Sequence, residues 1–402
     1  MKKLIAITAC AIALTAQAQV KADSTATDTV KGFGFVDEII IPGTSVKDQN
    51  QSGTCWCFAG TGFYENEIRK ATGDSIDLSE MFTVRKCYEA KADRFVRMYG
   101  GTSFSPGGSV LDVPYVWETF GIVPEEAYPG LKYGEDKHVH GEVQGVLEGL
   151  VNTVVKKPNR KVSTAWKNAL NGVLDAYFGE LPETFTYKGK TYTPQSFAKE
   201  LGINPDNYVA VTSFTHHPFY KPFVLEVSDN WLWAPYMNVP MEDMKAIVDN
   251  ALANGYTVAW AADVSEGGFK WNDGVALMPK GKNEGDLTGT ELARWVKLSD
   301  KDRVADKYKF DGPVEEIAVT QQSRQDMFDS QETTDDHGMI IVGTAKDREG
   351  NRYYKVKNSW DTNQKFDGYL YVSEPYFLAK TIDIYVNKKA VPAEIAKKAG
   401  IK

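Results

Sequence analysis

Apolar residues fall at helical spacing through CWCFAGTGFYENEIRKA, residues 55–71, where Phe58, Phe63, Tyr64 and Ile68 share a face and Gly73 supplies a stop. A second helical run, LSEMFTVRKCYEAKADRFV, opens with Ser79 as its N-cap. The glycine-rich turn SPGGS at 105–109 precedes a third helix over 110–120, and residues 140–180 read as helical with charge on one face. FTYKGKTY then predicts a β-hairpin around Lys188-Gly189, followed by TPQSFAKEL as a short capped helix. MEDMKAIVDNALANG, residues 241–255, predicts a helix that feeds the apolar strand YTVAWAADV at 256–264. The pattern then changes period. HGMIIVGTAKD at 337–347 and NRYYKVKNSW at 351–360 read as strands joined by a turn over 347–350, and the apolar runs GYLYVSEPYF and TIDIYV follow. Helices dominate the first part of the chain and strands the last.

Composition adds scale. The chain has 402 residues, 42% of them hydrophobic and 12% aromatic, enough for a large core in two or three domains or in one domain with a long insertion. With 46 basic and 54 acidic residues the net charge is -8, so there is no basic field for a nucleic-acid backbone. Two lysines, an apolar run from Leu4 to Ala16 and the small-x-small triplet Ala16-Gln17-Ala18 predict a signal peptide over residues 1–18, with 19–402 as the mature protein. This implies export, to a bacterial periplasm. The alternative is a lipobox at Ile7-Thr8-Ala9-Cys10, which would tether the protein to a membrane through a lipid on Cys10. Cleavage leaves Cys55, Cys57 and Cys87, an odd number for an oxidising compartment: one reactive thiol with either a Cys57–Cys87 bridge or two inert buried thiols.

Cys55 opens the first predicted helix, where the partial positive charge and unpaired N–H groups of the helix N-terminus favour a thiolate over a thiol of ordinary pKa about 8.5. Cys57 lies about 200° further around the helix and cannot face the same side. Acyl transfer by a thiolate further requires a proton shuttle, an orienter for it and donors for the oxyanion. Of five histidines, four stand mid-chain, whereas His337 opens an apolar strand and Asn358 ends the neighbouring one. His138 and His140 would point two imidazoles from one strand face, but no cysteine or carboxylate cluster lies near them in sequence to complete a metal site. His216-His217-Pro218 reads as a polar loop.

Gln49 six residues before Cys55-Trp56, then His337-Gly338, then Asn358-Ser359-Trp360, resembles the papain-like cysteine peptidases. Within them the chain is similar to the bleomycin hydrolase and aminopeptidase C branch, since about 280 residues separate Cys55 from His337 against roughly 130–150 in papain itself. The resemblance implies an α+β, two-lobe fold: a helical left lobe, an antiparallel sheet or barrel as right lobe, and a long, mostly helical insertion over 130–235. It implies Cys55 as nucleophile, His337 as acid and base, Asn358 as orienter, and Gln49 with the Cys55 N–H as oxyanion donors. Trp360 would shield the His–Asn bond, and Gly107-Gly108, beside Trp56, would let a substrate backbone approach. The branch trims peptide N-termini with its own C-terminal carboxylate as amine anchor, which here would be Lys402 at the end of a tail over 387–402, and it assembles as hexamers. No cofactor or metal is implied.

Two departures stand out. His337 follows Asp335-Asp336, and Asp361 replaces the usual glycine after Asn-Ser-Trp. The acidic pair Asp335-Asp336 is either a solvated turn or a device that stabilises the imidazolium or binds a substrate's free amine. The functional expectation is an exported cysteine aminopeptidase acting on peptides. A cysteine endopeptidase and an inactive peptide-binding protein of the same fold are the alternatives.

Overall fold

A computed structural model describes residues 32–282 and 284–402. The leader, the lipobox and Cys10 lie outside the described residues. The first apolar run forms helix α1 (Cys55–Thr72), ended by Gly73 at φ 80°, a left-handed position that suits glycine. Ser79 caps α2 (Glu80–Arg97) by accepting the Phe82 N–H, and α3 spans Asp112–Phe120. The helical stretch that follows is α4 (Gly141–Val155) and α5 (Ala165–Phe178). The hairpin β2 (Phe185–Tyr187) and β3 (Lys190–Tyr192) precedes α6 (Pro194–Glu200), whose Thr193 and Ser196 form a reciprocal capping box.

The insertion does not remain helical. After α6 it supplies β4 (Tyr208–Thr212), β5 (Lys221–Val224) and β6 (Pro235–Asn238), which join the main sheet beside strands from the far end of the chain. Helix α7 (Met241–Ala253) then leads into β7 (Val258–Ala262), with short β8 (Phe269–Lys270) and β9 (Val275–Ala276) after it. Three helices that the hydrophobic pattern left unread follow: α8 (Gly289–Trp295), α9 (Asp300–Lys307) and α10 (Gln321–Asp329). The last third gives β10 (His337–Lys346), β11 (Arg352–Lys357), β12 (Tyr369–Ser373), α11 (Glu374–Lys380), β13 (Thr381–Asn387) and α12 (Ala393–Ala399). GYLYVSEPYF is therefore half strand and half helix, because Ser373 accepts the Tyr376 N–H and Pro375 sits in the first turn.

With β1 (Val36–Ile40) pairing β10, the main sheet has 11 strands in the order β5-β6-β4-β13-β7-β10-β11-β12-β9-β8. It is antiparallel except where β4 meets β6 and β9 meets β12. The alternation along β10 sorts its two faces: Ile340 and Val342 join the core around α1 and α2, while Met339 and Ile341 join the core around α7. The chain thus has an α+β architecture, a helical side packed on one face of a large mixed sheet.

Helix α1 is buried from Trp56 to Ile68, including Glu65, Asn66 and Glu67. Lys47 neutralises the acids at its upper end, with Nζ 3.1 Å from Glu65 and 2.6 Å from both Glu80 and Asp77. Thr44 Oγ1 donates to Glu65 at 2.6 Å, and Lys357 Nζ donates to the Thr44 carbonyl at 2.9 Å. This network fastens residues 44–48, the approach to Gln49, to α1, α2 and β11. On the other side of the molecule the buried guanidinium of Arg324 donates to the carbonyls of Ser213, Leu378 and Thr381 at 2.8, 2.9 and 2.5 Å, stitching α10 to the ends of β4 and α11.

Removing Lys47 leaves two buried carboxylates without their cation. Lys47→Met is expected to lower the unfolding free energy by about 3–5 kcal/mol, read from the urea midpoint, with partial recovery when Glu80→Gln is added. An unchanged midpoint would show that the network positions residues 44–48 without stabilising them.

Candidate active site

Cys55 is the first residue of α1, and its thiol stands half-buried where that helix meets the start of β10. The approach is close because Gly338 has no side chain: a Cβ there would lie 3.2 Å from Trp56 Cα and 3.3 Å from Trp56 N. His337, the preceding residue, is thereby carried to the mouth of the same groove. Its Nε2 lies 2.7 Å from Asn358 Oδ1, and its Nδ1 has no hydrogen-bond partner among the described residues. That bond fixes the ring plane and leaves Nδ1 free of it.

Asn358 follows the end of β11, the antiparallel neighbour of β10, so ladder register sets the His–Asn distance. Its N–H donates to the Gly368 carbonyl at 3.0 Å, and its Oδ1 also accepts the Ser359 N–H at 2.8 Å. Trp360 lies over the imidazole with centroids 4.5 Å apart, backed by Trp271 at 5.3 Å and Phe269 at 6.0 Å. These rings exclude water from the His–Asn bond. Gln49 is held at the same corner: its N–H donates to the Ser359 carbonyl at 2.8 Å and its Oε1 accepts from Ser359 Oγ at 2.7 Å, which directs the amide nitrogen elsewhere.

Burial sets the charge states. It pushes the Cys55 thiol up to about 11, opposed by the backbone N–H groups of Gly338 and Trp56 and reinforced by the fields of Asp335 and Asp229. Burial also holds His337 down to about 4, against the hydrogen bond to Asn358. Both shifts favour the uncharged forms, thiol and neutral imidazole, in the unliganded groove.

The remaining sequence-predicted residues fall into three groups. Trp56 is buried and its Nε1 donates to the Pro106 carbonyl at 2.9 Å, so it anchors the 105–109 loop rather than facing a ligand. Gly107 and Gly108 do face close neighbours: added Cβ atoms would lie 2.3 Å from Asp229 Oδ2 and 2.5 Å from Asp112 Oδ2. Asp336 is turned away. Its Oδ2 accepts the N–H groups of Val264 and Ser265 at 3.2 and 3.1 Å, and its Oδ1 accepts Thr334 Oγ1 at 2.8 Å, so it organises the loop after β7 and does not offer a carboxylate to an amine.

Lys402 is also misplaced for the anchoring role. Val391, Ile395 and Ala399 recur every four residues and are buried, Val391 and Ile395 against the α7 side of the sheet with Met244 and Ile247, and Asn250 Nδ2 donates to the Ala390 carbonyl at 2.7 Å. The tail therefore packs on the face opposite α1, and none of its described contacts reaches the groove. Asp361 does take the place of a glycine at φ 65°, with Oδ1 accepting the Thr362 N–H at 2.6 Å and Oδ2 accepting from Asn363 at 2.7 Å.

Cys57 and Cys87 are free and fully buried, Cys57 Sγ donating to the Glu80 carbonyl at 3.3 Å. His138 and His140 are packed ring against ring at 5.7 Å, and burial drives them down to about 4 and about 3. Among the described residues the grouping with metal-compatible spacing is instead His216, His217 and Glu226. There Gln325 Nε2 donates to His216 Nδ1 at 3.0 Å, its orientation fixed by the Thr215 N–H and Asp329, so His216 Nε2 carries a hydrogen aimed at Glu226, 3.1 Å away. Sequence reasoning missed Asp229, Tyr236, Asp383 and the Phe269–Trp271 pair of rings, which come from four segments with no local motif to mark them.

The fold resembles that of PepW from Lactobacillus rhamnosis HN001, with a TM-score of 0.66 at 20% identity over 91% of this chain and 84% of that one. In sequence, the chain is 25% identical over 402 residues to aminopeptidase C of Lactobacillus delbrueckii subsp. lactis, covering 88% of this chain and 81% of the relative. It is 22% identical over 418 residues to bleomycin hydrolase of Rattus norvegicus, covering 91% and 86%. The Peptidase C1-like family matches residues 3–278 and 289–401, a span that takes in α1, β10 and the end of β11 together. The chain belongs to the Peptidase C1-like family.

Proposed function

We propose that this chain is an exported cysteine aminopeptidase that releases residues from peptide N-termini through a thioester on Cys55. The observation that carries the reading is the 2.7 Å bond from His337 Nε2 to Asn358 Oδ1, made under Trp360 on a strand whose Gly338 touches the first turn of α1. His337 Nδ1 takes the Cys55 proton as Sγ attacks the scissile carbonyl. The oxyanion is received by the Cys55 N–H and the Gln49 amide. His337 then passes the proton to the departing amine as the C–N bond breaks. A water, deprotonated by the same nitrogen, hydrolyses the thioester and restores the thiol. The names of the relatives, aminopeptidase C among them, support peptides as substrates.

A second reading, an endopeptidase, is favoured by one observation: the C-terminal segment packs Val391 and Ile395 into the core shared with α7, and none of its described contacts is to a residue of the Cys55 site. Amine-blocked and free peptides of equal sequence separate the two. Export rests on the composition of residues 1–18. It is tested by N-terminal sequencing of the mature protein from the periplasmic fraction, where a start at Gln19 is expected and a cytoplasmic, Met1-initiated protein would overturn it.

Cys55→Ala is expected to abolish cleavage and labelling by a thiol-directed epoxide. Gln49→Ala should lower kcat by about 10²–10³-fold with little change in KM, the loss that follows from one oxyanion donor. Full labelling at another cysteine would redirect the assignment. The acid limb of kcat/KM reports protonation of His337, which must be neutral to accept the thiol proton. Because the Asn358 bond raises the His337 pKa, Asn358→Ala should move that limb to lower pH while reducing kcat. A limb that stays in place would mean that another group controls it.

A further inference from the structure

Three acids without a hydrogen-bond partner among the described residues lie around the groove: Asp229 against Gly107, Asp335 two residues before His337, and Asp383, which pairs with Ala261 of β7, itself opposite Gly338. Asp229 sits in the 225–234 loop between β5 and β6, which is rigid: Asn230 Nδ2 donates to the Leu225 and Ala234 carbonyls, both at 3.0 Å, and Trp231 Nε1 donates to Asp112 Oδ2 at 2.6 Å. The loop lays the Asp229 carboxylate against Gly107, the residue at which a Cβ would lie 2.3 Å from Oδ2. Asp335 stands two residues before His337. Asp383 lies at an irregularity in the pairing of β13 with β7 and is only 4% exposed. None of the three side chains has a hydrogen-bond donor or an ion-pair cation among the described residues. They nonetheless feel one another: the field of Asp229 raises Asp335, which burial brings to about 7, and the field of Asp335 adds to the burial that raises Asp383. Lys91, whose field reaches Asp229, is engaged with the carbonyls of Ser105 and Gly107.

Buried, like-signed groups without donors destabilise a fold unless a cation arrives to use them. Here they also oppose catalysis, because Asp335 and Asp229 both disfavour the Cys55 thiolate. We propose that Asp229, Asp335 and Asp383 form a cation pocket that receives a substrate ammonium group next to Cys55, taking the anchoring role that the distant C-terminal tail cannot fill. An ammonium in the pocket satisfies the carboxylates and at the same time offsets the two fields that add to burial in holding the thiol protonated, so a correctly charged substrate assists its own attack. The inference rests on the peptidase reading for its catalytic consequence, but the pocket itself is tested by binding alone. The ammonium has two sources, the free N-terminus of a peptide or a lysine side chain.

Calorimetry on full-length Cys55→Ala protein, which binds without turnover, compares two ligand pairs: trialanine against acetyl-trialanine, and acetyl-Ala-Lys-Ala against acetyl-Ala-norleucine-Ala. The charged member of at least one pair should bind about tenfold more tightly or better, and Asp335→Asn and Asp383→Asn should each erode that preference. A preference in the first pair assigns the pocket to the N-terminal amine, and a preference confined to the second assigns it to a basic side chain. Both variants replace unpartnered acids, Asp383 buried and Asp335 half-buried, with neutral isosteres, so they should keep or raise Tm at pH 8, which separates lost recognition from lost folding. Equal binding within both pairs, or a preference that survives the double Asn variant, overturns the pocket. Wild-type protein that keeps the charge preference yet cleaves nothing would count against the peptidase reading and leave the pocket standing.

Discussion

The close contact between β10 and the first turn of α1 is the constraint on which the site depends. A strand and a helix can come this near only where one of them lacks a side chain, and Gly338 is that position. One residue earlier the chain carries the imidazole, and at the helix start it carries the thiol, so a single backbone contact sets two functional groups that are far apart in sequence. Gly62 serves the same interface one turn further along, where a Cβ would lie 2.9 Å from Ile340 Cδ1. The ladder between β10 and β11 then delivers Asn358 to the imidazole, and the bridge from Asp48 to Trp360 brings Gln49 to the same corner.

Buried charge is handled in two opposite ways within the helical side and its margin. Around Lys47 the acids of α1 and α2 are matched by a cation and by hydroxyl donors, and the cluster is structural. Around Asp335 comparable acids are unmatched, and the difference is what turns an electrostatic cost into a recognition element. The same contrast explains the state of Cys55. Its helix N-terminus and two backbone donors favour the anion, yet burial and two nearby carboxylates outweigh them, and the unliganded groove holds a neutral thiol beside a neutral imidazole.

The C-terminal segment shows how an amphipathic pattern overrides an expectation drawn from resemblance. Val391 and Ile395 stand four residues apart on one apolar stripe, and the stripe buries in the core that α7 lines with Met244 and Ile247. The insertion behaves similarly. Its helices share the core of α1 and α2 through Leu147 and Leu170, and Val211 and Tyr236 of β4 and β6 extend the main sheet, so no boundary separates insertion from core at residue 235.

Periodicity and capping residues determined the local elements: α1 with its Gly73 stop, α2 with Ser79, the Lys188-Gly189 hairpin, and the β10–β11 pair with its tight turn. They did so because helix period, strand alternation and turn chemistry are encoded within a few residues of one another. The residues Cys55, His337, Asn358 and Gln49 were legible for a related reason, since each stands at the end of such an element in a recognisable short motif. Asp229, Asp335, Asp383 and Tyr236 were not legible as a group. They come from a loop, a strand lead-in, a strand irregularity and the strand next to the sheet's β5 edge, and only the folding of β4–β6 and β13 into one sheet places them around the same groove. Charge–charge distances across a fold have no counterpart in linear spacing, so the chain's chemistry could be read from its sequence, while its choice of ligand charge was decided by tertiary structure.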